Sequence, residues 1–189
     1  MNKDDILLAS AQIIRQKGFH AASMQDIADA VHLQKASLYH HFVSKQEILL
    51  RLLDQALDLM TEQVGRVFMQ DLPADEKLRQ GVCVYLETMG EHAALASVLL
   101  FEHRSLEPEF RRRHFTKRDH FEALWRGVIQ EGVEKGIFQD DHPGLSAKVL
   151  LGTMNWTLTW YRPGGPLSMR QIADHTAQLF LNGLRGKDI

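Results

Sequence analysis

Polar side chains that suit DNA recognition are concentrated between residues 34 and 45. Gln34 can pair with adenine through both ends of its amide, and Lys35 can reach a guanine edge or a phosphate. Lys45 begins a longer helix, where its charge and the positive end of the helix dipole both favour phosphate. The other groups in this stretch that can hold phosphate oxygens belong to Ser37, Tyr39 and His40. This pattern indicates a surface that could read the major groove of DNA.

Two short helices joined by a tight turn are needed to position these side chains. Ser23 and Asp26 have the spacing of a capping box that opens the first helix, and the pattern breaks at His32 before the second helix. Ser44 and Glu47 form another capping box, which opens a long third helix. This helix-turn-helix arrangement places its second helix in the major groove. The alternative is a three-helix subdomain whose polar face is simply solvated.

Helical periodicity continues through the rest of the chain. Apolar residues three or four apart predict further helices over about 4–17, 44–67, 78–89, 108–136, 143–162 and 168–183. The last two of these helices are separated by Pro163-Gly164-Gly165-Pro166, because its two prolines lack N–H donors and its two glycines are flexible. We count about nine helices and no strand pair, so the predicted class is all-α.

Composition and motifs exclude several function classes. The chain has 189 residues and a net charge of -2, which argues against binding polyanions by bulk charge. The single cysteine, Cys83, cannot form an intrachain disulfide, and neither a signal sequence nor a membrane-length apolar run is present, so we expect a cytoplasmic protein. His114, His120 and Glu122 could lie close together on one helix, but HExxH, paired CxxC and G-x-S-x-G motifs are absent from the sequence. We therefore expect no enzyme, no cofactor and no metal.

A set of residues follows a fixed order through the helix-turn-helix region: Phe19, Ile27-Ala28, Ser37-Leu38-Tyr39-His40-His41-Phe42, Ser44-Lys45, Glu47 and Leu49. This set resembles the N-terminal signature of TetR-family repressors. The resemblance implies a homodimer with a DNA-binding domain at residues 1–47 and an effector-binding and dimerisation domain at residues 48–189. It implies that phosphates are held by Ser23, Tyr39, His40 and Lys45. It implies that the bases are contacted by Gln34, Lys35, Ala36 and Ser37.

Two positions depart from the family pattern. His32 stands where the family usually has the glycine of the turn, and histidine adopts a positive φ less freely than glycine. Gln34 stands where a Ser or Thr usually caps the recognition helix, so we expect a weaker cap. These departures concern the start of the recognition helix and individual base contacts.

The C-terminal region carries a second pattern, which includes Gly136-Ile137-Phe138, Pro143 and the stretch from Trp156 through Trp160 and Gly165 to Leu184. It is similar to TetR-family repressors of fatty-acid or sterol breakdown that respond to acyl-CoA thioesters. Such a ligand needs an apolar tunnel for its chain and cations for its phosphates.

The sequence offers candidates for both parts of that effector site. The side chains that could line a tunnel are Met60, Phe68, Met89, Phe121, Trp125, Trp156 and Trp160. The densest basic run supplies as candidate cations Arg104, Arg111, Arg113 and Lys117. The alternative for the apolar residues is ordinary core, and for the cations a solvated face.

The last two predicted helices are rich in small and apolar residues and could pair with their symmetry mates in a four-helix bundle. The residues on which this expectation depends are Gly152, Met154, Leu158, Ile172, Ala173, Ala177 and Phe180. The alternative is that both helices pack only within one subunit. The resulting hypothesis is a homodimeric repressor, released from operator DNA by a small apolar effector. The competing hypothesis is a helical ligand- or metal-binding protein whose helix-turn-helix does not bind DNA.

Overall fold

The computed structural model describes residues 2–185, which form nine α-helices and no strand. The helices are α1 (Lys3–Lys17), α2 (Met24–Ala30), α3 (Lys35–His41), α4 (Lys45–Phe68), α5 (Ala74–Glu91), α6 (Ala93–Phe101), α7 (Pro108–Glu134), α8 (Pro143–Trp160) and α9 (Met169–Leu184). A short 3₁₀ turn, His103–Ser105, follows α6. The predicted all-α class is confirmed. Within the described chain, none of these helices has the length and apolar character needed to cross a membrane.

Capping hydrogen bonds mark the starts of α2 and α4, as predicted, and of α9. The hydroxyl of Ser23 accepts the N–H of Asp26, and the Asp26 carboxylate accepts the N–H of Ser23 in return. Ser168 and the Gln171 side chain make the same reciprocal pair at α9. At α4 the Ser44 hydroxyl accepts the N–H of Glu47 at 3.1 Å, but the Glu47 carboxylate accepts the N–H of Val43 at 2.9 Å and not that of Ser44.

Contacts divide the chain into two compact units. The first unit comprises Met1–Asp58 and His92–Lys117, and the second comprises Leu59–Glu91 and Arg118–Ile189. Both α4 and α7 therefore contribute residues to each unit. A functional boundary at residue 47 stays a prediction.

The first unit buries one face of each helix-turn-helix element. α1 packs on α2 and α6, and α2 packs on α3. The fully buried side chains at the centre of this core include Ile6, Ile14, Ile27, Leu38, Ile48 and Val98. This core fixes the position of α3, because Leu38 is the buried residue of that helix.

The second unit is organised around α5, which packs along α9 and also contacts α8. Its core is apolar and includes Leu78, Val82, Leu86, Met89, Trp125, Met154 and Ala177. Four residues on which we based the dimer expectation are already buried here: Met154, Ile172, Ala173 and Ala177. The same two helices keep other apolar side chains exposed, among them Trp156 and Leu179.

Candidate DNA-binding and effector sites

The recognition helix α3 exposes the residues that the sequence assigned to DNA. Gln34, Lys35, Ala36 and His40 are exposed, and Tyr39 is 45% exposed. Ser37 is half-buried. α3 therefore presents a polar face to solvent while its opposite face is held in the core by Leu38.

The turn before α3 contains the two departures from the family pattern. His32 has φ 54°, the left-handed conformation that usually calls for glycine. The N–H of Leu33 donates to the carbonyl of Ala28 at 2.9 Å, and this bond closes the turn that contains His32 at the end of α2. Gln34 is the N-cap of α3 but makes no capping hydrogen bond with its side chain. Its amide is therefore available for an external contact.

Ser23, a predicted phosphate contact, already makes hydrogen bonds within the protein. The Ser23 hydroxyl donates to the Asp26 carboxylate at 2.7 Å and also caps α2. Hydrogen bonds from Lys17, and then from Ser23, hold the pKa of Asp26 well below its usual range. Asp26 is therefore ionised and acts as a fixed acceptor.

Lys45 is directed into the loop between α1 and α2. Its ammonium donates to the carbonyls of Phe19 at 2.8 Å, His20 at 3.3 Å and Ala22 at 2.7 Å. The same atom lies 4.4 Å from the centre of the Phe19 ring. These contacts match the three N–H donors of an ammonium group. The structure therefore assigns Lys45 a positioning role, and a phosphate contact by its side chain stays a prediction.

The candidate cations of the effector site lie in the first unit. Arg113 contacts Asp54 at 2.6 Å, and Lys117 contacts Asp58 at 2.6 Å. Arg111 donates through Nε to the carbonyl of Leu106 at 2.8 Å. Arg104 is exposed and makes no ion pair among residues 2–185.

The candidate apolar residues lie in the second unit, but they do not all lie together. Met60, Met89, Phe121 and Trp125 are buried, and Phe68 is half-buried. Trp156 and Trp160 are 67% and 47% exposed. Their position fits a surface contact better than the lining of a buried tunnel.

An aromatic cluster surrounds Trp125. Its ring stands nearly perpendicular to Phe68, Tyr85 and Phe121, with centroid distances of 5.1, 5.8 and 6.3 Å. The indole Nε1 is buried and finds no hydrogen-bond acceptor in the described part of the chain. The perpendicular rings offer it at most a weak N–H···π contact.

A polar pair borders this aromatic cluster. The Tyr85 hydroxyl donates to the side-chain oxygen of Asn155 at 2.6 Å. Burial raises the pKa of Tyr85, so this hydroxyl keeps its proton. Local sequence patterns carry no signal for this pair, because it joins residues seventy positions apart.

Two family models together match most of the chain. Residues 6–52 match "Bacterial regulatory proteins, tetR family", and residues 71–184 match "Tetracyclin repressor-like, C-terminal domain". The chain belongs to the TetR family. The predicted family membership is confirmed, and the family consists of transcriptional regulators rather than enzymes.

Relatives within the TetR family are similar over almost the whole length. The "HTH-type transcriptional repressor KstR2" of Mycobacterium tuberculosis is 27% identical over 184 residues, which cover 96% of this chain and 92% of the relative. The regulator PfmR from Thermus thermophilus has a TM-score of 0.87 and 33% identity, covering 94% of this chain and 97% of PfmR. AibR, solved with isovaleryl coenzyme A and operator DNA, has a TM-score of 0.88 and 26% identity, covering 94% of this chain and 96% of AibR. TetR regulators bind operator DNA, dimerise and bind small-molecule effectors.

Proposed function

We propose that this chain is a homodimeric transcriptional repressor that an acyl-CoA thioester releases from its operator. The open polar face of α3, fixed in place by the buried Leu38, carries the DNA-binding part of this proposal. Gln34 is proposed to pair with an adenine edge and Lys35 to contact a guanine edge or a phosphate. Ala36 and Ser37 complete the base-facing set. The proposed phosphate contacts are made by Ser23, Tyr39 and His40, and Lys45 is proposed to position the loop before α2 instead.

The effector class is supported by a relative and by the chemistry of the second unit. AibR was solved with an acyl-CoA, isovaleryl coenzyme A. In the second unit, the aromatic cluster and the buried Met60 and Met89 provide the apolar, adaptable surroundings that an acyl chain requires. The buried N–H of Trp125 is a donor without an acceptor in the described chain, and a thioester carbonyl oxygen is an acceptor of the right kind. The proposed phosphate ligands are Arg104, Arg111, Arg113 and Lys117.

Dimerisation is proposed to use the exposed face of α8. Leu145, Val149, Trp156 and Trp160 are exposed at spacings of three and four residues when Gly152 is included, so they lie on one side of the helix. Leu179 of α9 is 60% exposed as well. An apolar stripe of this kind on a surface helix is typical of a helix-pairing interface.

One experiment tests DNA reading and effector release together. DNA bound by the wild-type protein is selected from a random pool, and its affinity is then measured over a range of salt concentrations with and without acyl-CoA thioesters. We expect a palindromic site, an affinity that falls steeply with salt, and at least tenfold weaker binding when the thioester is present. Gln34→Ala should cost about 1–3 kcal/mol at one base pair and relax the choice there. Lys35→Ala should weaken binding, and Gln130→Ala, a change of an exposed glutamine in the second unit, should have no effect.

The assigned DNA surface would be wrong if the selection enriched no sequence. It would also be wrong if the Gln34→Ala protein had the same affinity and the same base preference as the wild type. DNA binding that no acyl-CoA alters would leave the regulator standing and refute the effector class. No DNA binding together with tight ligand binding would support the competing hypothesis of a helical ligand-binding protein.

A further inference from the structure

Two acidic residues of α4 pair with two basic residues of α7 inside the first unit. Asp54 and Asp58 are one helical turn apart, as are Arg113 and Lys117. Arg113 Nη2 lies 2.6 Å from Asp54 Oδ2, and Lys117 Nζ lies 2.6 Å from Asp58 Oδ2. Lys117 is also 3.8 Å from Asp54, so the four groups form a connected charge ladder.

The members of the charge ladder differ in their access to solvent. The Asp54 side chain is only 7% exposed, whereas those of Arg113 and Lys117 are 56% and 31% exposed. No N–H or O–H group in the described chain gives either oxygen of Asp54 a well-directed hydrogen bond. Asp54 is thus a buried carboxylate that depends on the charges of these two cations.

We propose that Arg113 and Lys117 form the phosphate-binding site for the effector, and that Asp54 and Asp58 occupy these cations while the ligand is absent. This inference rests on the proposed acyl-CoA response. The planar guanidinium of Arg113 can bind a phosphate as well as a carboxylate, so a phosphate competes with Asp54 for Arg113. A phosphate at this position also repels the buried carboxylate. Ligand binding therefore makes the resting position of Asp54 unfavourable.

The charge ladder is connected to the DNA-binding elements through the first half of α4. Asp54 lies nine residues, or about 14 Å of helix, after Lys45. The Lys45 ammonium donates hydrogen bonds to the carbonyls of Phe19 and Ala22. Gln46 donates to the carbonyl of Ser105 at 2.9 Å and accepts the N–H of Glu107 at 3.2 Å. A shift of α4 at Asp54 would therefore move the contacts that position the loop before α2. Asp54 is in this sense a positioning residue that converts phosphate binding into operator release.

The test compares isovaleryl-CoA and octanoyl-CoA with the matching pantetheine thioesters, which lack phosphate. For the wild-type protein, we expect the CoA thioesters to bind and to release the operator at least tenfold better than the pantetheine thioesters. Asp54→Asn keeps the side chain's size but removes its charge, so it should bind CoA thioesters about tenfold more tightly and lose most of their effect on operator affinity. Asp58→Asn, at an exposed position, should act in the same direction but less strongly. Glu131→Gln, which breaks the Lys77–Glu131 pair in the second unit, should change neither property.

Tighter ligand binding combined with weaker release distinguishes this role from simple damage to the fold, which would lower both. The inference is overturned if CoA and pantetheine thioesters release the wild-type protein equally. It is also overturned if both aspartate variants bind the ligand and respond to it as the wild type does. A wild-type protein that binds its operator but that no acyl-CoA releases would refute the proposed effector class, and the phosphate site with it.

Discussion

His32 adopts a conformation that suits glycine better than its own side chain. Its φ of 54° is the left-handed form, in which a non-glycine residue is strained by roughly 1–2 kcal/mol. The hydrogen bonds around it end α2 and set the angle at which α3 begins. A strained residue is thus tolerated because the surrounding contacts determine the turn.

Replacing His32 tests this strain directly. His32→Gly should raise the free energy of unfolding by about 0.5–1 kcal/mol, because relief of strain outweighs the greater freedom of glycine in the unfolded chain. His32→Val should lower it by at least about 1 kcal/mol, since a β-branched residue resists positive φ. Urea titration of the two variants and the wild type measures both changes. Equal stability of all three proteins would contradict the strained turn.

The sequence revealed the local features of the site better than its long-range contacts. The unusual residue at position 32 and the weak cap at Gln34 were both visible, because turn and capping chemistry depend on neighbouring residues. The role of Lys45 was not visible, because its acceptors at Phe19 and Ala22 lie 26 and 23 positions earlier. The pairing of Asp54 with Arg113 was hidden for the same reason.

At the level of secondary structure, α6 is the helix whose bounds could not be predicted from the sequence, because it shows no helical periodicity. α6 is apolar nearly all round, so its residues show no alternation between a buried and a polar face. By contrast, α9 has a capping box and a clear stripe, and its start at Met169 agrees with the prediction. α8 ends at Trp160, two residues before the predicted end, because Tyr161 already has an extended backbone ahead of Pro163.

The first turn of α4 explains why Lys45 is a helix-positioning residue. Removing its ammonium in Lys45→Met leaves the carbonyls of Phe19 and Ala22 without their donor, so the free energy of unfolding should fall by about 2–3 kcal/mol. Operator affinity should fall too, but with an unchanged salt dependence. A direct phosphate contact would instead reduce the slope of log affinity against log salt by about 1.

Lys35→Met is the matched comparison for Lys45→Met, because Lys35 is an exposed lysine on α3. It should keep the wild-type stability and change only DNA binding. If Lys45→Met is as stable as the wild type and has a smaller salt slope, Lys45 is a phosphate ligand and the positioning role is wrong.

At the level of the whole molecule, the net charge of -2 is compatible with DNA binding if two recognition helices act together. Half-sites one DNA turn apart, about 34–36 Å, allow a dimer to add the contributions of a few correctly placed cations from each subunit. Specific affinity then depends on the dimer more than on bulk charge, and weak non-specific attraction limits trapping elsewhere on DNA. The strength of subunit pairing therefore controls occupancy of the operator.

The exposed stripe on α8 makes this dependence testable. Trp156→Glu places a carboxylate on the proposed interface in both subunits, and by symmetry each copy should cost about 2 kcal/mol, or about 4 kcal/mol in total. The dimer dissociation constant measured by analytical ultracentrifugation should rise about a thousandfold, and palindromic DNA should bind far less tightly while helical content is preserved. Leu8→Glu is a matched control, because Leu8 and Trp156 are both 67% exposed and Leu8 lies on α1. If the Trp156→Glu protein stays as strongly dimeric as the Leu8→Glu protein, the subunits pair through a different surface, and the exposed tryptophans return to consideration as effector contacts.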